Sequence, residues 1–296
     1  MKFIPLLIFV LTFNFANAKT NSFYLDNPHS PNCQLRAFES KPEGKIVADY
    51  FYFIGYGDRA DNHKPLFDQL NAQGIRVLSY DYPSHGLTNC GYLNFNTYTN
   101  LMDYAEMLEV QTREDINRPV ILSGWSTGGL LALRLAQTQR FGNRFIQSLV
   151  LIAPGLSVYV LVGGDGIIRN TTLTSNPNPP HLAPPKPKSP LLTPLFSSDL
   201  ILNGFEAREL GLPLIPTLML VAGDKLDSYA KTSELKEFVL EEIKKGSNLK
   251  AFHCKKSMHE MDNEVEAVGG FVRNTITQFV INPKNPLFES KDCLKM

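Results

Sequence analysis

The sequence predicts an α/β protein with a mostly parallel central sheet flanked by helices. Short, almost wholly apolar runs, typical of buried strands, alternate along the chain with longer stretches whose apolar residues have helical spacing. The strand runs lack a polar face, which indicates a sheet that is covered on both sides. A content of 43% hydrophobic and 20% charged residues allows the large core that such a fold buries.

The predicted elements follow one another in strand–helix order. Strands are expected at residues 46–54, 75–80, 120–123, 148–153, 216–222 and 249–254. Helices are expected at residues 64–73, 98–113, 130–138, 198–210, 232–245 and 265–279. Because a helix between two strands returns the chain to the same edge of the sheet, consecutive strands of this kind pair in parallel.

Residues 156–213 interrupt this alternation. They include TSNPNPPHLAPPKPKSPLLTP, in which proline is too frequent for regular helix or strand. A linker between two domains and a cap inserted over the sheet are both consistent with such a segment. The cap is favoured because the strand pattern resumes after it, and long loops in compact domains are often lids. We therefore expect residues 19–296 to form one domain with a cap or lid at about 156–213.

The N-terminal sequence MKFIPLLIFVLTFNFANA, residues 1–18, predicts a cleaved secretory signal peptide. Lys2 precedes an apolar run that is shorter than the ~20 residues of a membrane-spanning helix. Ala16 and Ala18 form the small-residue pattern of a cleavage site. An uncleaved anchor is the alternative. We expect a secreted or periplasmic protein.

The cysteines and the charge balance narrow the range of ligands. In an exported chain, disulfides are expected among Cys33, Cys90, Cys254 and Cys293. Three complete pairings are open, and buried free thiols are the alternative. The cysteine spacing does not fit a zinc site, and neither a metal nor an organic cofactor is expected. With 29 basic and 29 acidic residues the chain has no net charge, which argues against a nucleic-acid partner.

The segment Gly124-Trp125-Ser126-Thr127-Gly128 matches G-x-S-x-G between a predicted strand and a predicted helix. In that context the pattern predicts a sharp turn that raises a nucleophilic serine at the carboxyl edge of the sheet. Glycine is needed at both ends because larger side chains would collide with neighbouring backbone. The N-terminus of the following helix directs its N–H groups to the same place. An ordinary Ser-Gly turn is the alternative.

A serine nucleophile needs a base, and the base needs an orienting acid. His259 follows the last predicted strand and precedes the last predicted helix, so it is the predicted base. His63 and His85 lie in early loops and could line the site. Asp227, after the strand at 216–222, is the predicted acid, and Asp224 is the alternative. The order serine, aspartate, histidine is typical of nucleophiles on such a turn.

Acyl transfer also requires donors for the oxyanion that develops on the substrate. The backbone N–H of Thr127, directly after the serine, is one predicted donor. The backbone N–H of Tyr56 is the other, because Gly55 and Gly57 allow close approach in the loop after the first predicted strand. The alternative is an ordinary glycine turn.

With these motifs, the chain resembles the α/β-hydrolase superfamily, and within it the monoglyceride lipase and lysophospholipase-like branch, also labelled serine aminopeptidase S33. The resemblance covers residues 40–281 approximately. It is carried by FIGYGDRADNH (53–63), SYDYPSHGLT (79–88), GWSTGG (124–129), PTLMLVAGDKLD (216–227) and SMHEMDNE (257–264).

The sequence departs from the family pattern at four places. Ile54 replaces the usual histidine of the oxyanion loop, and Ser84 stands where the family often has glycine. One extra residue separates Gly223 from Asp227, which is why Asp224 stays open as the acid. The proline-rich stretch at 170–190 is unlike a typical helical cap.

The resemblance implies an α/β-hydrolase fold and a serine hydrolase that cleaves carboxylic esters. The implied substrates are lipid-like, such as monoacylglycerols or lysophospholipids, which would bring the cap into transient contact with a membrane surface. A peptidase or another acyl hydrolase of the same fold is the first alternative. A non-catalytic binding protein on this fold is the second.

Overall fold

One nine-stranded sheet organises the part of the chain that the structure, a computed structural model, describes: residues 18–90, 97–158, 172–180 and 194–296. The strands are β1 Lys19–Leu25, β2 Leu35–Lys41, β3 Ala48–Phe53, β4 Ile75–Tyr80, β5 Val120–Trp125, β6 Ile146–Ile152, β7 Thr217–Val221, β8 Leu249–Cys254 and β9 Cys293–Lys295. They lie in the order β1-β2-β4-β3-β5-β6-β7-β8-β9. The six strands from β4 to β8 pair in parallel. The predicted mostly parallel sheet is confirmed.

Six α-helices accompany the sheet in the described residues. They are α1 Lys64–Asn71, α2 Tyr98–Thr112, α3 Thr127–Gln137, α4 Pro194–Leu210, α5 Thr232–Lys245 and α6 Glu266–Ile281. Helix α1 contacts α6, whereas α2, α3 and α4 contact one another. Strands β3 and β5, at the centre of the sheet, are buried along their whole length. This is the layered arrangement expected of strands without a polar face.

Three strands were not predicted from the sequence. β1 and β2 form an antiparallel pair that joins the sheet through β4, and β9 pairs antiparallel with β8. β1 is largely exposed, and β2 includes Arg36, Glu39 and Lys41. Because their stability comes from pairing with a neighbouring strand, no apolar run marks them in the sequence.

Two disulfides settle the pairing that the sequence left open. Cys33 is bonded to Cys90, and Cys254 to Cys293. The alternative of free thiols is wrong. The second bridge joins β8 to β9, so it fixes the C-terminal strand beside the strand that leads to His259.

Parts of two predicted segments lie outside the described residues. These are residues 1–17 of the expected signal peptide, and residues 159–171 and 181–193 of the expected cap. Within the described ranges, no helix has the length and apolar character that crossing a membrane requires.

Candidate active site

Ser126 lies at a sharp turn between β5 and α3. Its backbone has φ 55° and ψ −121°, a conformation that a residue with a side chain adopts only under strain of about 1–3 kcal/mol. Two backbone hydrogen bonds hold the turn to the end of β6: Ser126 N–H donates to Ile152 O at 2.9 Å, and Gly155 N–H donates to Ser126 O at 2.7 Å. Helix α3 begins at Thr127, directly after the serine, and not at Leu130 as predicted.

The two glycines of the turn are required by close backbone packing. A Cβ atom at Gly124 would lie 2.2 Å from the carbonyl oxygen of Gly128. A Cβ atom at Gly128 would lie 1.9 Å from the carbonyl oxygen of Phe53 and 2.5 Å from that of Ile54. The glycines of α3 are weak helix formers, which is why the sequence suggested a later start. Close packing explains their presence, because Gly128 packs on the end of β3 and Gly129 packs against Gly124 and Pro154. The first turn of α3 therefore presses against the end of β3.

Ser126, His259 and Asp227 form a continuous hydrogen-bonded chain. His259 Nε2 is 2.7 Å from Ser126 Oγ, and His259 Nδ1 is 2.9 Å from Asp227 Oδ2. Asp227 Oδ1 accepts the backbone N–H groups of Tyr229 at 2.8 Å and Ala230 at 2.9 Å. Since a carboxylate only accepts, Nδ1 carries a proton and Nε2 is free to accept the serine proton.

Burial separates the two candidate acids. The Asp227 side chain is fully buried, whereas that of Asp224 is 47% exposed. Asp224 pairs instead with Lys236, 2.8 Å away, and this hydrogen bond lowers the pKa of Asp224. The extra residue in this loop is accommodated by a tight turn, in which Asp227 N–H donates to Gly223 O at 3.1 Å. The structure thus brings Asp227, and not Asp224, to His259.

The predicted oxyanion donors lie on the two segments that flank Ser126. Thr127 is the first residue of α3, where N–H groups have no partner within the helix. Tyr56 lies in the loop after β3. The packing of Gly128 on Phe53 and Ile54 brings this loop against the turn that carries Ser126. Ile54, in place of the family histidine, is fully buried, and its carbonyl accepts a hydrogen bond from Tyr82 Oη at 2.8 Å.

The Asp81–Gly86 segment supports this loop. Asp81 is fully buried and accepts the backbone N–H groups of Ala60 at 2.8 Å and Leu87 at 2.7 Å. Burial raises the pKa of Asp81, and the nearby Arg36 guanidinium opposes that rise. Gly86 has φ 48°, and a Cβ atom there would lie 1.9 Å from Asp81 Oδ2. The segment therefore joins the loops that follow β3 and β4.

Trp125 and Tyr229 support the histidine, and sequence reasoning gave neither a role. Trp125 Nε1 donates to the His259 carbonyl oxygen at 2.7 Å, and the two rings are 5.3 Å apart. The Tyr229 ring stacks on His259 at 5.2 Å. The G-x-S-x-G pattern leaves position 125 unspecified, and Tyr229 follows a candidate acid by two residues, so no motif marked either residue.

The described parts of the insertion contact the site from two sides. Glu260 N–H donates to Leu173 O at 2.8 Å, and Glu264 accepts the Ser175 N–H at 3.1 Å. On the other side, the ring of Phe196 in α4 lies 5.4 Å from Tyr56. The insertion is therefore attached to both the histidine loop and the oxyanion loop.

No group of histidine, cysteine, aspartate or glutamate side chains within the described ranges has the arrangement of a metal site.

Comparisons with known proteins agree with the fold. The model of the serine aminopeptidase S33 family, Hydrolase_4, matches residues 45–181. A search of curated proteins gave no match.

Solved structures of lipases share the fold at low sequence identity. A lipase in an open form aligns with TM-score 0.69 at 15% identity, covering 90% of this chain and 100% of its own. The monoacylglycerol lipase of Paleococcus ferrophilus aligns with TM-score 0.64 at 19% identity, and the alignment covers 83% of this chain and 98% of the lipase chain. A soluble variant of the Saccharomyces cerevisiae monoglyceride lipase, in complex with a substrate analogue, aligns with TM-score 0.66 at 14% identity. This alignment covers 89% of this chain and 96% of the lipase chain. The chain therefore has the α/β-hydrolase fold, and its residues 45–181 are similar to the serine aminopeptidase S33 family.

Proposed function

We propose that this protein is a serine hydrolase that cleaves carboxylic esters through an acyl-enzyme. The observation that carries the proposal is the hydrogen-bonded chain from Ser126 Oγ through His259 to Asp227, set on a strained turn. Geometry of this kind, rather than fold, distinguishes a hydrolase from a binding protein.

In the first step, Ser126 Oγ attacks the ester carbonyl carbon while its proton passes to His259 Nε2. Asp227 stabilises the resulting imidazolium. The N–H groups of Tyr56 and Thr127 hold the negative oxygen of the tetrahedral intermediate. Collapse breaks the bond to the alcohol, which leaves with the proton from His259. A water molecule then attacks the acyl-enzyme by the same route, and the acid is released with Ser126 restored.

Lipid-like esters are the substrates that we propose. The structural neighbours include monoacylglycerol lipases, and the oxyanion loop is bordered by the apolar ring of Phe196. Leu202 and Phe205 on α4 are exposed, which suits transient contact of the insertion with a membrane surface. The matched family model carries the name of a serine aminopeptidase, and this favours a peptidase as the second candidate.

We also propose that the protein is exported to the periplasm or the exterior. Two observations support this: the signal-like sequence at residues 1–18, and two disulfides of a kind that persists in oxidising compartments.

Labelling with a fluorophosphonate probe tests the proposed reaction. The wild-type protein should label, and Ser126→Ala should abolish labelling because the attacking oxygen is removed. Ser198→Ala, at an exposed position of α4, is the control and should label like the wild type. An unlabelled wild type, under conditions where a known serine hydrolase reacts, would refute the proposal and favour a binding protein.

The substrate class requires a second experiment. A series of p-nitrophenyl esters of increasing acyl length, set beside peptide amides, should show the highest kcat/KM for the longer esters. Equal activity on all chain lengths, together with cleavage of the amides, would favour the peptidase.

A further inference from the structure

A second histidine is buried close to the proposed catalytic centre, between two carboxylates. His63 is completely buried; its Nε2 is 2.7 Å from Asp58 Oδ2, and its Nδ1 is 2.7 Å from Asp262 Oδ2. The carboxyl side chains are themselves 5% and 0% exposed. We refer to these three residues as the Asp58–His63–Asp262 clamp. The reaction described above makes no use of them.

The geometry of the clamp fixes its charge. Ionised carboxylates only accept hydrogen bonds, so both ring nitrogens of His63 must donate, and a ring with two N–H groups is an imidazolium. Burial acts to lower the pKa of His63, but Asp262 and Asp58 outweigh it, and the pKa is raised well above its ordinary value. The Tyr52 ring lies 4.7 Å from the His63 ring. Burial, together with the nearby Asp262 and Asp58, raises the pKa of Tyr52 well above 10, so the phenol stays neutral.

The clamp joins the two loops on which the proposed chemistry depends. Asp58 lies two residues after Tyr56 in the oxyanion loop, and Asp262 lies three residues after His259. His63 ends the short 3₁₀ helix Ala60–His63 that leads into α1. A cationic ring between the two carboxylates therefore connects segments that are far apart in the chain.

Neighbouring contacts reinforce this connection. Asn263 Nδ2 donates to Asn62 O at 3.2 Å, beside the bond from His63 to Asp262. The backbone of Asp262 is held separately, because Arg273 donates to its carbonyl oxygen at 2.5 Å. The Trp125 ring lies 5.8 Å from His63 and 5.3 Å from His259, so it packs against both histidines.

We propose that the Asp58–His63–Asp262 clamp is a positioning device that keeps the oxyanion loop and the catalytic-histidine loop in register around Ser126. This inference rests on the proposed hydrolase function. His63 touches no reacting atom; it acts by fixing the loops that carry Tyr56 and His259. A misplacement of about 1 Å can cost an enzyme about 100-fold in rate.

The first test is His63→Gln, which removes the charge and one of the two donors. We expect kcat for a p-nitrophenyl ester to fall about 100-fold. KM should change by less than about threefold, because His63 is completely buried and does not itself contact the substrate. His29→Gln is the matched control, since His29 also pairs with an aspartate, Asp103 at 2.8 Å, but is partly exposed; its kcat should equal that of the wild type.

Asp58→Asn and Asp262→Asn provide a second route if His63→Gln does not fold. Both amides keep the shape of the carboxylate and remove one charge. Each should lower kcat, and each should move the alkaline limit of kcat to lower pH, because the His63 imidazolium then loses its proton more easily. A role in stability alone would move the melting temperature and leave the pH profile unchanged.

The charge of the clamp can be measured without any substrate. In ¹⁵N-histidine NMR at pH 7.5, one ring should show two protonated nitrogens, and its signals should be missing from His63→Gln. A neutral His63 ring would overturn the proposal, as would wild-type kcat in a folded His63→Gln or Asp262→Asn variant.

A wild type that neither labels nor hydrolyses would refute the proposed function, and with it any positioning role of the clamp. A wild type that does both, alongside fully active clamp variants, would refute the clamp alone.

Discussion

Replacing Asp227 by asparagine should nearly abolish turnover. In the proposed reaction His259 becomes an imidazolium, and the Asp227 carboxylate is its hydrogen-bonded partner. Asp227 Oδ2 and His259 Nδ1 are 2.9 Å apart, and both side chains are buried. With an effective dielectric constant near 20, opposite unit charges at this distance attract by about 6 kcal/mol. At 1.36 kcal/mol per factor of ten, this corresponds to a loss of about 10⁴-fold in kcat.

The amide would also favour the wrong tautomer. The NH₂ group introduced by Asp227→Asn could donate to His259 Nδ1, which would leave the proton of the neutral ring on Nε2. That nitrogen, 2.7 Å from Ser126 Oγ, could then no longer accept the serine proton. Losses near 10⁴-fold are known for this change in other catalytic triads, so the two arguments agree in size.

Asp224→Asn is the matched comparison, because it makes the same chemical change in the same loop. Asp224 is about half exposed and pairs with Lys236, an arrangement whose contribution to stability is at most about 1 kcal/mol. The kcat/KM of the Asp224→Asn variant for a short p-nitrophenyl ester should stay within about threefold of the wild-type value. Circular dichroism and melting curves should establish that both variants are folded. A greater loss from Asp224→Asn than from Asp227→Asn would refute the assignment of the acid.

Two further predictions concern the turn and the buried histidine. Gly128→Ala should lower both activity and the free energy of unfolding, by at least about 1–3 kcal/mol for the latter, because its Cβ would lie 1.9 Å from Phe53 O. Gly246→Ala is the control, because the added Cβ meets only open space. The positive φ of this residue should cost about 1 kcal/mol of stability, and activity should be kept. Equal activity in the two variants would contradict the packing argument. The pKa of His63 is higher in the folded state than in the unfolded state, where it is near 6.5. The stability that the charged His63 contributes is therefore complete below about pH 6.5. Above that pH it declines by about 1.4 kcal/mol per pH unit, until the pKa of the folded state is reached. Urea unfolding of wild type and His63→Gln at pH 6, 7 and 8 should show the gap between them narrowing; a gap independent of pH would show that His63 is not charged in the native state.

The parallel core of the fold was predictable because buried parallel strands carry their own signal. β4 and β8, and helix α5, begin and end where the sequence placed them. The ends of β5 and α3 were not placed correctly, because glycine is required at the turn by tertiary contacts, of Gly124 with Gly128 and of Gly128 with the end of β3, and not by local preference. β1, β2 and β9 contain no continuous apolar run and depend on pairing with neighbouring strands.

The sequence alone determined the order of the site: a serine between glycines, then an aspartate, then a histidine, each following a parallel strand. This order follows from local chemistry, because a sharp turn needs glycine and a buried strand needs apolar residues. Only the tertiary structure showed that Asp227, and not Asp224, is hydrogen-bonded to His259, because the two aspartates lie in one loop and differ in burial and in partner. It also decided the partners of His63, one of six histidines in the chain, which the sequence placed in an early loop. Asp262 is 199 positions away from His63, and a contact across that separation leaves no local pattern for the sequence to reveal.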